Sequence, residues 1–247
     1  MSEIVWDQAG SKTYEVGADH GVLYNYYAGT YTDGVAWNGL RSVSCEEDDR
    51  EVTPLYSGDI KSDVIFGAGG CSGTIEAYTY PDEFERCIGS TEAIDGLYIQ
   101  QQGHEPFGMS YRSFVGNDTA GQEHAYKLHL IYGAVITNAS TEHSSLSDSP
   151  EVVDFSWDYE TLPQENEDYQ PFSELIIDSR KFSSESMAEL EEILYGSETE
   201  APRLPTLDEL IELFQVVDTT IPPEYVGYPY ENLYPSTTVY PAAQQTP

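Results

Sequence analysis

Hydrophobic and polar residues alternate along much of the chain with the two-residue period of a half-buried β-strand. Residues 153–160 show this most clearly. Val153, Phe155, Trp157 and Tyr159 fall on one side, and Asp154, Ser156, Asp158 and Glu160 on the other. This predicts a strand with one core face and one carboxylate face. Residues 74–80 repeat the pattern, with Ile75, Ala77 and Thr79 opposite Glu76, Tyr78 and Tyr80. Residues 126–137 predict a longer strand with Leu128, Leu130, Tyr132, Ala134 and Ile136 on one face. Residues 21–27 read as a strand, 28–34 as a turn, and 35–43 as extended again. Tyr56-Ser57-Gly58-Asp59 has tight-turn chemistry, and Leu175-Ile176-Ile177 ends the β-rich part.

Two segments have a helical period instead. Met187, Leu190, Ile193 and Leu194 form one stripe, with Ser186 and Glu189 as a capping box and Gly196 as the stop. Leu207, Leu210, Ile211 and Phe214 form another, with Thr206 and Glu209 as its box. Helices this short need a surface to dock on. A further short helix is expected after Pro81, where Asp82 and Glu83 suit the positive end and Gly89 can stop it. From about Asp218 the chain turns to Tyr-Pro units without apolar periodicity, which predicts an extended tail. The organisation expected is a β domain over 1–182, a helical segment over 183–217 and a Tyr/Pro-rich tail over 218–247. The fold class is α+β, mainly β, with two short C-terminal helices.

Charge changes this picture most. There are 44 Asp and Glu against 10 Lys and Arg, a formal net charge of −34 on 247 residues. Such a surface repels nucleic acid, because phosphate binding needs cations that release counterions. A role beside DNA, as a wall that DNA must not adhere to, remains compatible with it. Low Lys with high Asp and Glu also suits salt adaptation. No apolar run approaches a membrane span, and the first residues lack the basic and apolar regions of a secretory signal.

The candidate chemistry is thin. Cys45, Cys71 and Cys87 stand at wide spacings without a CxxC, so they read as three reduced thiols rather than a zinc site. The five histidines (His20, His104, His124, His129 and His143) form no metal motif and favour structural roles. Gly67-Ala68-Gly69-Gly70-Cys71-Ser72-Gly73 lacks the ending of a phosphate loop and leads into a β pattern, so it reads as a turn. Carboxylates are so many that an acid–base pair carries no signal. No cofactor and no catalytic or metal-binding residues are expected.

Several segments, in order, resemble the major tail protein (tail tube subunit) of long non-contractile-tailed phages, especially those infecting actinobacteria. They are Val5-Trp6-Asp7 with Tyr14-Glu15-Val16-Gly17 and Gly21-Val22-Leu23-Tyr24; Ala36-Trp37-Asn38-Gly39-Leu40; Arg50-Glu51-Val52-Thr53-Pro54-Leu55-Tyr56; Ala77-Tyr78-Thr79-Tyr80-Pro81-Asp82-Glu83-Phe84; Phe107-Gly108-Met109-Ser110-Tyr111-Arg112 with Val115-Gly116-Asn117-Asp118; Tyr126-Lys127-Leu128-His129; and Leu190-Glu191-Glu192-Ile193-Leu194-Tyr195-Gly196. The segment 67–73 is looser than the family pattern, and the tail beyond Asp218 is an addition.

The resemblance implies two packed antiparallel sheets with a flanking helix, in a structural virion protein, made in the host cytoplasm, that forms hexameric rings stacked into a tube. Its partners would be further copies of itself and the tape-measure, tail terminator and distal tail proteins, with no membrane involved. DNA would pass through the lumen without specific binding. Glu46, Glu47, Asp48, Asp49, Glu76, Asp154, Asp158 and Glu160 are the lumen candidates by that analogy. Tyr56, Ser57, Gly58 and Asp59 would form a ring-to-ring contact, and the helix after Pro81 would be the flanking helix. Two other readings compete: a salt-adapted β-rich module for carbohydrate or calcium, and an acid–base hydrolase.

Overall fold

A computed structural model describes residues 4–47, 52–57, 60–66, 69–141, 143 and 153–217. In chain order the strands are β1 (Thr13–Tyr27), β2 (Thr30–Ala36), β3 (Leu40–Val43), β4 (Glu46–Glu47), β5 (Val52–Ser57), β6 (Ile60–Phe66), β7 (Cys71–Ala77), β8 (Thr91–Ile94), β9 (Leu97–Ile99), β10 (Phe107–Asn117), β11 (Gly121–Thr141), β12 (Phe155–Thr161) and β13 (Glu174–Asp178). The helices are α1 (Ser184–Tyr195) and α2 (Leu207–Val217), with single 3-10 turns at Asp82–Arg86 and Ser179–Lys181. The main ladder is antiparallel and runs β2-β1-β10-β11-β12-β7-β3, with β13 added to β11 and β4 to β7. The hairpins β5–β6 and β8–β9 stand as separate two-stranded sheets.

The ladder folds onto itself along β11. The first part of this strand pairs with β10 and β13, and the last part pairs with β12. Between them the register with β10 slips, at Ile131–Ala134, and Gly133 takes a φ of +64°. The slip is a β-bulge, which adds a residue and bends the strand. It corrects the expectation that Leu128 through Ile136 share one face. Leu128, Leu130 and Tyr132 point into one core, whereas Ala134 and Ile136 point into another, together with Ile131.

The first core lies between the two sheets so formed. Leu23, Phe107, Met109 and Ile131 from one sheet meet Ile75, Ala77, Trp157 and Tyr159 from the other. Trp157 is the hub: its ring contacts Trp37, Tyr80 and Phe84 at centroid distances of 5.8, 5.4 and 5.1 Å and stacks on Phe155. Phe84, carried by the 3-10 turn after Pro81, is fully buried and plugs this layer. The short helix expected there is present, wound as 3-10. The Trp37 amide donates to the Gly21 carbonyl at 2.8 Å, which carries the β1–β2 pairing one residue past β2.

The second core lies on the outer face of β1, β10 and β11. Val22, Tyr24, Leu128, Leu130 and Tyr132 are covered there by Met187, Leu190 and Leu194 of α1 and Leu210 of α2. This is the docking surface the two apolar stripes require. Tyr24 ties the layers together by donating its hydroxyl to the Leu194 carbonyl at 2.8 Å.

Details of the helices depart from expectation in one place. The cap of α1 is Ser183, whose Oγ accepts from the Ser186 amide, so the helix starts before the Ser186–Glu189 box. The α2 box forms as expected: the Thr206 amide donates to Glu209 Oε2, and the Glu209 amide donates to Thr206 Oγ1. Most of the span expected to be a turn at 28–34 is strand: Ala28 and Gly29, both at positive φ, make the β1–β2 turn, and Asp33, at φ +53°, sits in the irregularity of the β1–β2 register. Likewise Cys71, Ser72 and Gly73 belong to β7, while 67 and 68 lie outside the described residues.

Candidate functional site

The face of β7 and β12 that points away from the first core is polar throughout. In register, Glu46 lies opposite Ser72 and Ser72 opposite Glu160; Thr74 lies opposite Asp158 and Asp158 opposite Asn138; Ser42 lies opposite Glu76 and Glu76 opposite Ser156. Strand alternation thus gathers Glu46, Glu76, Asp158 and Glu160 on one surface, with hydroxyl and amide groups between them. A shallow hollow of about 310 Å³ on this face is lined by Ser44, Glu46, Ser72, Thr74, Asp158 and Glu160.

Interleaved side-chain donors reach two of the acids, Asp158 and Glu76. Asn138 Nδ2 donates to Asp158 Oδ2 at 3.0 Å, and Thr74 Oγ1 donates to Asp158 Oδ1 at 2.9 Å. These bonds, Asn138 first, hold Asp158 below the usual carboxylate range. Ser42 Oγ donates to Glu76 Oε2 at 2.8 Å. Among the described residues, Arg41 lies at the margin, paired with Asp154 at 2.6 Å. Carboxylates gathered on one face make the local field negative.

Among the expected lumen residues, Glu46, Glu76, Asp158 and Glu160 therefore come together. Asp154 sits just before β12 and is committed to Arg41. Glu47 pairs with Cys71, whose side chain is buried, so it falls on the other side of the sheet and remains exposed. Asp48 and Asp49 lie outside the described residues. For the ring-contact loop, Tyr56 and Ser57 end β5 opposite Lys61 and Ile60 of β6, while Gly58 and Asp59 lie outside the described residues. Cys71 and Cys87 are buried and Cys45 is half-buried, and none of the three is in a disulfide. Ser42, Ser44, Thr74 and Asn138 were not singled out from sequence, although the alternation that marked Glu76 and Asp158 also marks Thr74.

A second polar cluster had no sequence signal. At the end of the first core, His129 stacks on Tyr111 at 4.6 Å. Its Nδ1 lies 3.0 Å from Glu174 Oε1, and its Nε2 lies 3.2 Å from Glu15 Oε1 and 3.0 Å from Ser113 Oγ. Four strands (β1, β10, β11 and β13) bring these residues together. Their separation along the chain hides them. On the opposite face, Arg112 binds Asp19 through Nε and Nη2 at 2.9 and 2.8 Å, with its guanidinium near the rings of Phe114 and Tyr126.

Both clusters make stability depend on acid. Burial works against charge on Glu15 and Asp19, but Lys127 and Arg112 respectively outweigh it, and both carboxyls sit below their ordinary values of 4.5 and 3.8. A carboxyl lowered in the native state stabilises above its unfolded pKa, and the gain is lost as pH falls through the native one. Arg112→Met should therefore cost about 1–2 kcal/mol near neutrality, the low end for charged hydrogen bonds because Asp19 is partly solvated. The deficit should shrink as pH falls below 3.8 through the lowered native pKa of Asp19. Urea unfolding of both proteins across pH 2.5–7 would show this; a deficit that persists unchanged at the acid end would remove the ion pair as its cause.

No protein-family model and no curated protein matches the chain. Solved structures that resemble it include a sheath–tube complex of an extracellular contractile injection system (13% identity over 64% of this chain and 88% of that one, TM-score 0.35) and the tube-terminating cap of the anti-feeding prophage (11% identity, 72% and 97%, TM-score 0.37). The anti-feeding prophage baseplate also resembles it, at 9% identity, 72% and 97% coverage and a TM-score of 0.32.

Proposed function

We propose that this chain is the structural subunit of a phage-type tail tube, polymerising as stacked six-membered rings around an acidic bore that conducts DNA without binding it. The observation that carries this reading is the single polar face of β7 and β12, where Glu46, Glu76, Asp158 and Glu160 are collected opposite a fully apolar core. The ordered sequence resemblance supports it independently. In this reading, residues 1–182 form the tube wall, 183–217 brace it from outside, and the virion tail is where it resides. Copies of the chain are the main partners, with tape-measure, terminator and distal tail proteins at the ends. Head-to-tail contacts close a ring, and axial stacking extends it.

The mechanism is electrostatic. The Debye length is roughly 10 Å at 0.1 M salt, so wall carboxylates act on DNA across a thin water layer. The same charges oppose assembly, so polymerisation should strengthen as salt rises. Negative-stain electron microscopy across a concentration and salt series tests this, with stacked rings around a stain-filled hole as the expected result. Neutralising Glu46, Glu76, Asp158 and Glu160 to their amides should move the onset of assembly to lower salt. A chain that stays monomeric throughout, or tubes that dissolve steadily as salt increases, would sink the proposal.

A further inference from the structure

Beside the second core lies a hollow of about 480 Å³ between the β1–β2 turn, the loop after β12 and the start of α2. Its floor is aromatic and apolar. Tyr31 and Tyr132 meet edge to face at 5.7 Å, Tyr132 meets Phe172 at 5.7 Å and 85°, and Leu204 closes the base. The hollow is also lined by Glu165, by Asp208, which accepts from Asn166, and by the Arg203–Glu209 ion pair, so acids outnumber cations three to one and the carboxylates offer acceptors only. An aromatic floor with an acceptor rim is the chemistry that receives extended proline-rich segments with tyrosine side chains.

The chain contains such a segment. Tyr228-Pro229, Tyr234-Pro235 and Tyr240-Pro241 recur at six-residue intervals. Six residues are two turns of a polyproline II helix, so this spacing would place the three tyrosines on one side, roughly 19 Å apart. Residues 225–230, Tyr225-Val226-Gly227-Tyr228-Pro229-Tyr230, carry no charge, so an acidic rim does not repel them. Reach is sufficient. The hollow is bounded by the first turn of α2, and the 11 residues of that helix place its other end about 15 Å away. The ten residues 218–227 span about 30 Å when extended, twice the return distance.

We infer that the hollow between Tyr31, Tyr132 and Phe172 is a docking groove for the Tyr228-Pro229 unit of the same chain. The tyrosine ring packs on the aromatic floor, and its hydroxyl donates to the carboxylate rim. Tethering supplies an effective concentration on the order of millimolar, so a weak contact suffices. The inference does not rest on the tube reading, because it concerns the dilute, unassembled chain.

The test uses the full chain with a benzophenone amino acid replacing Tyr228, irradiated below any assembly concentration and mapped by mass spectrometry. The expected cross-links join position 228 to the loop at 164–172 or to residues 203–208. Mixing with isotopically heavy chain should show them within one molecule. A synthetic peptide of residues 224–234 added at millimolar concentration should reduce their yield at least about twofold. Cross-links scattered over the surface, found only between light and heavy chains, or indifferent to the peptide would overturn the assignment. The benzophenone at Tyr240 is a control for proximity alone, and equal yields from both positions would also count against it.

Discussion

Trp157→Ala should lower the stability of the fold by about 3–5 kcal/mol, the range for deleting a large buried aromatic. The indole is 1% exposed and touches rings from three other parts of the chain: the end of β2, the segment before the 3-10 turn, and the turn itself. Backbone ladders hold β12 between β7 and β11, so the surroundings cannot collapse to fill the space. A loss of this size is a large fraction of the stability of an ordinary domain. Equilibrium denaturation, followed by far-ultraviolet dichroism because the substitution removes a tryptophan signal, gives the value. Trp157→Phe should recover part of the loss. A cost below about 1 kcal/mol for the alanine variant would mean that the two sheets do not enclose this side chain.

Gly133→Ala should be nearly as damaging, for a backbone reason. A non-glycine residue at φ +64° costs about 1–3 kcal/mol in strain. A β-carbon there would also run into the Leu162 carbonyl oxygen, which belongs to the backbone and cannot swing away. Gly121→Ala provides the control. Its φ is +73°, but nothing lies within 4 Å of the added carbon, so it reports the conformational cost alone. The excess of Gly133→Ala over Gly121→Ala measures the close approach at the bend. If the two variants cost the same, the β11 bulge does not pack as described.

The alternation at residues 153–160 was legible because a strand between two neighbours leaves one face to the core and one to water. Phe155, Trp157 and Tyr159 turn inward, and Asp158 and Glu160 outward, as that pattern requires. Val153 and Asp154 precede the strand itself. The same logic failed in β11, because a bulge shifts the period by one and the residues on either side of it remain apolar. Ile131 is as hydrophobic as Leu130, so composition cannot say where the faces exchange. Gly133 was the available signal, an isolated glycine inside a strand pattern. The α2 cap could be read because Thr206 and Glu209 satisfy each other locally, whereas α1 begins at a run with serines at 183, 184 and 186, and the first of them caps the helix in place of Ser186. The His129 cluster was invisible for the opposite reason. Glu15, Ser113, His129 and Glu174 become neighbours only through the strand order, which sequence periodicity does not determine.

That strand order bears on how the chain comes into being. In β1, Thr13 pairs with Asn117 and Asn25 with Phe107, so one whole edge of the strand waits for residues some hundred positions later. At roughly 5–20 residues per second, a nascent chain would carry that edge unpaired for about 5–20 seconds. Only the hairpin partner β2, with Tyr26 opposite Tyr31, can form meanwhile. An open edge rich in tyrosine and valine is a template for pairing with other nascent chains. The acid spread along the sequence keeps such chains apart during this interval, a use of charge that ends before any mature surface exists.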